Sequence, residues 1–126
     1  MKRKLTDREF DRIIQKAIRR IPEDVREHLK NIMISVQDRP SEDLLEEMGY
    51  APDETLFGLY YGTSLLERSM NEPPLYPDTI FLFQEPLEEY CETPEELEEE
   101  IEITVVHEIA HYLGIDEERL AELGYE

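Results

Sequence analysis

An α+β domain is the fold class that the sequence predicts, and three observations carry that reading. Helical and strand-like periodicities both occur, but they do not alternate in the regular manner of a doubly wound sheet. The strand-like runs are few and short, whereas one capped helical segment towards the C-terminal end is long. With 126 residues, 40% of them hydrophobic, the chain reads most simply as a single domain over residues 1–126 built on one core.

Thr6 to Glu9 has the form of a capping box, and Phe10, Ile13, Ile14, Ala17 and Ile18 then fall on one stripe, which predicts a first helix over 7–20. Pro22 suits a first helical position, and Glu23 and Asp24 suit the positive end of the helix dipole. A second short helix therefore runs through Val25 and Leu29. Ile32, Ile34 and Val36 alternate with Met33, Ser35 and Gln37, a half-buried strand ended by Asp38-Arg39-Pro40. Ser41 can cap another short helix, closed by Gly49. Residues 56–68, LFGLYYGTSLLER, read as a hairpin turning at Gly62-Thr63, and the proline-rich 69–78 reads as a loop. The apolar run TIFLF, Thr79 to Phe83, predicts another strand.

Thr93-Pro94-Glu95-Glu96 is the strongest helix start in the chain, with a threonine cap and proline at the first helical position. This helix should run to Leu113 and stop at Gly114 in a left-handed conformation, a length of about 30 Å at 1.5 Å per residue. Its first half, EELEEEIE, reads as solvated, and its second half, ITVVHEIAHYL, as buried. Asp116 is placed to cap a last short helix, EERLAEL.

The net charge of −19 excludes a nucleic-acid partner, because a phosphate backbone needs clustered Lys and Arg. No apolar run approaches the roughly 18 residues that cross a bilayer, and the basic N-terminus has no apolar stretch behind it. A cytoplasmic protein with no membrane partner is expected, and a monomer is assumed. Cys91 is the only cysteine, so no internal disulfide forms, and it reads as a small buried filler. The acidic run 95–102 lacks the spacing of a calcium loop and reads as a solvated helix face.

The chemistry concentrates in VVHEIAHYLGIDEERL, residues 105–120. His107 and His111 lie one turn apart on the same helix face, so both imidazoles can address one ion. Glu108 is rotated about 100° from His107, within reach of a water on that ion. Metal, polarised water and base thus fall within one turn. The competing reading places both histidines on a solvated face with Glu108 paired to a nearby cation. Yet Glu108 sits among Val105, Val106, Ile109 and Ala110, where an idle carboxylate is costly. The third ligand lies in the turn after Gly114, at Glu117 or at Asp116, and Asp116 has the competing task of capping. Tyr60, Tyr61 and Tyr112 read as core or rim side chains, and His28 as a surface residue.

His107-Glu108-x-x-His111-x-x-Gly114-x-x-Glu117 resembles the metzincin spacing, with a carboxylate at the third ligand position. Over nearly its full length, the chain resembles the small bacterial zincin-like metallopeptidases with a minimal matrix-metalloprotease-like domain. Gly58-Leu59-Tyr60-Tyr61-Gly62, then TIFLF, then TVVHEIAHYLGIDEERL carry that likeness. It implies Zn2+ held by His107, His111 and Glu117, Glu108 as general base, and a peptide or protein substrate. It also implies that TIFLF offers an exposed edge to an extended peptide. The methionine-containing turn of metzincins has no counterpart, since no residue after Glu117 is Met. A non-catalytic zinc-binding or protein-interaction module that keeps the motif for structure is the alternative.

Overall fold

The computed structural model describes residues 4–50, 56–62 and 78–125. Helix α1 (Asp7–Arg20) opens with the capping box expected of it. Thr6 Oγ1 accepts from Glu9 N–H at 3.2 Å, and Glu9 Oε1 accepts from Thr6 N–H at 3.0 Å. Phe10, Ile14 and Ala17, one stripe at helical spacing, are fully or almost fully buried. The short α2 (Glu23–Arg26) runs on into a 3-10 turn over Glu27–Asn31, and α3 (Glu42–Glu47) is capped by Ser41.

Three strands form one mixed sheet in the order β1-β3-β2. β1 (Met33–Gln37) runs parallel to β3 (Thr79–Phe83), with Ser35 opposite Phe81. β2 (Gly58–Tyr61) runs antiparallel to β3, with Tyr60 opposite Ile80. TIFLF is therefore the central strand with both edges paired, and the expectation that it offers an exposed edge does not hold. A near-continuous apolar run is what a strand covered on both faces requires. Among the described residues it is β2 that lies at the sheet edge on that side. The hairpin expected over 56–68 has its first arm in β2, whose partner is β3; the turn at Thr63 and the second arm lie outside the described residues.

Helix α4 (Gln84–Tyr90) follows β3 directly and was not expected. Its proline, Pro86, sits at the third position, where the helix asks for no intrahelical N–H. Buried Glu88 and Gln84 anchor the segment that leads into α1. Glu88 Oε1 accepts from Leu5 N–H at 2.9 Å and from Gln84 Nε2 at 3.1 Å, and Gln84 Nε2 also donates to Leu5 O at 2.9 Å.

Helix α5 (Pro94–Leu113) has its expected bounds. Thr93 Oγ1 accepts from Glu96 N–H at 3.1 Å, and Gly114 closes the helix at φ 71°, with Ile115 N–H donating to Ala110 O at 2.9 Å. Its burial departs from the expected half-and-half division. Leu97, Ile101, Val105, Val106, Ile109 and Ala110 are all at or near zero exposure, in one cluster with Phe10, Ile14, Ala17, Ile80 and Leu82. Burying each large aliphatic contributes about 1.5–3 kcal/mol. Repulsion between glutamates three or four apart costs only about 0.2–0.5 kcal/mol per pair, so burial decides the fate of the acidic half. Glu102, expected on a solvated face, is only 9% exposed. It pairs with Arg20 at 2.9 Å and accepts from the Tyr125 hydroxyl at 2.7 Å, which ties the segment after α6 (Glu117–Glu122) to α5 and α1. Among the described residues no helix is long and apolar enough to cross a membrane.

β2 lies directly on α5 because residue 58 is glycine. A Cβ there would stand 2.6 Å from Thr104 Cγ2 and 3.0 Å from Phe81 O. Gly58→Ala is therefore expected to destabilise the protein by about 1–3 kcal/mol through overpacking. Adding Thr104→Ser, which removes the opposing methyl, should restore most of the loss in denaturant unfolding; an additive double variant would contradict the contact.

Candidate active site

The C-terminal half of α5 places His107, Glu108 and His111 on the wall of an open cleft of about 570 Å³. Met48 and Phe57 line another part of it, with Tyr60 of β2 above the helix. His107 is half-buried, and its Nε2 is fully shielded from solvent with no hydrogen-bond partner. An unpartnered buried nitrogen costs about 1–3 kcal/mol. His111 is 70% exposed at its side chain, against 13% for Glu108, and the His111 Nδ1 to Glu108 Oε2 distance is 3.4 Å.

Glu108 is held from both elements. Its Oε1 accepts from the Tyr60 backbone N–H at 3.1 Å, and its Oε2 faces His111. Burial pushes its carboxyl above the ordinary carboxylate value; His111, the Tyr60 N–H and His107 oppose that shift without cancelling it. The Tyr60 ring stacks on Tyr112, with centroids 5.1 Å apart and planes at 29°, which fixes the height of β2 over the helix. Tyr60 and Tyr112 thus act as wall residues, and Tyr61 is exposed at the strand end. His28 is exposed as expected, and Cys91 is buried.

A metal ion requires ligand atoms with free lone pairs, and the orphaned Nε2 of His107 meets that requirement. Its neighbour one turn on, His111, lines the same cleft. Asp116 acts as the α6 cap, its Oδ1 accepting from Arg119 N–H at 2.9 Å, and Glu117 is exposed at the first position of α6. Among the described residues no three His, Cys, Asp or Glu side chains are gathered closely enough to hold a metal. The structure thus brings His107, Glu108 and His111 together and does not gather Glu117 with them.

Two features escaped the sequence reading. The Tyr60 N–H bond to Glu108 joins residues from separate elements and has no local signal. Glu100 has one: it precedes His107 by two helical turns, so helical spacing alone puts it on the same face. It lines the cleft rather than standing on a solvated face. Burial and the adjacent Glu99 push its carboxyl upward, with His107 opposing.

The chain finds matches among known proteins. A family model described as zincin-like metallopeptidase matches residues 29–125, and the chain belongs to that family. Among solved structures, a conserved hypothetical protein from Thermo thermophilus is similar, with a TM-score of 0.54 and 20% identity. The match covers 93% of this chain and 98% of that one, a likeness of fold. No curated protein gives a significant match.

The orphaned nitrogen makes a prediction for the metal-free protein. His107→Leu removes a buried polar atom that has no partner, so the chelator-treated variant should be more stable than chelator-treated wild type, by about 1 kcal/mol. It should also lose any rise in melting temperature that added Zn2+ confers on the wild type. Equal or lower stability without metal would mean that the imidazole is satisfied in solution.

Proposed function

We propose that the protein is a zinc-dependent metallopeptidase. The observation that carries this reading is the unpartnered, solvent-shielded Nε2 of His107 in an open cleft that Glu108, facing His111, also lines. His107 and His111 would hold the ion, with Glu117 as third ligand. Bound zinc supplies Lewis acidity towards a carbonyl oxygen and lowers the pKa of a water to about 7.

The remaining steps belong to the chain. Glu108 accepts the proton of the attacking water and returns it to the departing amine. Its burial raises its proton affinity, which suits a group that must both take and give a proton. β2, which lies at the sheet edge among the described residues, offers backbone groups to an extended peptide. The strong negative charge keeps nucleic acid off the surface.

One observation favours a second reading, a non-catalytic zinc-binding or interaction module. Glu108 Oε1 already accepts the Tyr60 N–H, so the residue also works as a tether between β2 and α5. Glu108→Gln separates the two. Its amide oxygen still accepts that N–H, so folding and zinc content by elemental analysis should be unchanged, while hydrolysis of a broad peptide library falls at least about 100-fold. Bound zinc without hydrolysis in the wild type establishes the module instead.

Glu117 and Asp116 are distinguished by zinc competition with a chromogenic chelator. Glu117→Ala should weaken affinity by about tenfold or more, on the scale of losing one ligand. Asp116→Asn should change little, because Asn caps a helix about as well as Asp. The reverse pattern moves the ligand to Asp116.

A further inference from the structure

The cleft continues beyond the histidines along α5 towards Ile103 and Glu100. Glu100 lies two turns before His107, about 10 Å along the helix axis. Its carboxyl is half-buried, and among the described residues it makes no ion pair or hydrogen bond. The basic side chains near α5 are used elsewhere: Arg20 pairs with Glu98 and Glu102 on the α1 side. Among the described residues no Lys or Arg lines the cleft. Thr104 stands between Glu100 and the histidines on the helix, and the apolar side chains of Ile103, Met48 and Phe57 also line the cleft.

We propose that Glu100 is the specificity determinant of this cleft and that it selects a Lys or Arg side chain on an extended peptide. This inference rests on the metallopeptidase reading for the peptide as ligand. The shape fits the two parts of such a side chain: methylenes lie along Ile103, Met48 and Phe57, and the cationic head reaches the carboxylate at the far end. A cation there also satisfies a carboxylate that burial and Glu99 otherwise disfavour. The charge of −19 steers cationic peptides towards the protein, and Glu100 sets the position at which their charge is read.

The test is binding of fluorescein-labelled Ala/Gly heptapeptides that carry one Arg, one Lys or one citrulline, walked through each position. Polarisation is read on the full chain carrying Glu108→Gln, so that no peptide is consumed. At one position the Arg and Lys peptides should bind about tenfold tighter than citrulline. Glu100→Gln should abolish that ratio, and Glu100→Lys should invert it in favour of a Glu peptide. Both variants remove an unpaired carboxylate beside Glu99, so they should fold, as far-UV circular dichroism will show. A preference that survives Glu100→Gln overturns the assignment, as does equal binding of all peptides or no binding up to about 1 mM. Hydrolysis by the wild-type chain is measured in parallel. Charge-selective binding without hydrolysis defeats the peptidase reading and leaves the Glu100 site standing. Hydrolysis without charge preference does the opposite.

Discussion

Helix α5 has to be buried on more than one side, and that constraint organises everything around it. Its apolar residues are spread around the helix, so packing against a single partner would leave aliphatic surface in water. α1 covers one side, through Phe10, Ile14 and Ala17, and the sheet covers another through Ile80 and Leu82. On a further side, residues Glu100, Thr104, His107, Glu108 and His111 open on the cleft. The chemistry falls there because the core leaves that side of the helix open.

The polar groups at the margins of the core are held by partners from distant parts of the chain. Glu102 is shared by Arg20 and Tyr125, Glu88 by Leu5 and Gln84, and Glu108 by Tyr60 and His111. In each case a carboxylate on α4 or α5 reaches across to another element. The cations follow the same logic on the outside, with Arg39 on Glu85 and Glu89 and Lys4 on Asp38. Such exposed pairs contribute little individually. Their placement leaves the cleft to carboxylates and imidazoles.

Features written in local spacing were legible from the sequence. The Thr6 and Thr93 caps, the Gly114 stop and the Asp116 cap each depend on residues within a few positions, and each stands where its pattern put it. The same holds for the shared face of His107 and His111. Pairing was not legible, because β1 and β2 both find their partner in β3 across long stretches of chain, and nothing in TIFLF itself says that it is central. α4 was missed because Pro86 and the glutamates around it resemble a loop, while its buried partners lie at Leu5. Glu100 and Glu102 looked alike in an acidic run; tertiary packing gives one to the cleft and the other to the core.

The central strand comes after both of its partners in the chain. During synthesis α1, β1 and β2 emerge before β3, so both flanking strands exist without an edge to pair with. The buried face of α1 likewise waits for α5, still further on. Folding therefore closes the loops between these elements before their pairings form. Until residues 79–113 have left the ribosome, the nascent chain presents Phe10, Ile14 and two open strands to the cell, and that interval is where a chaperone would engage it.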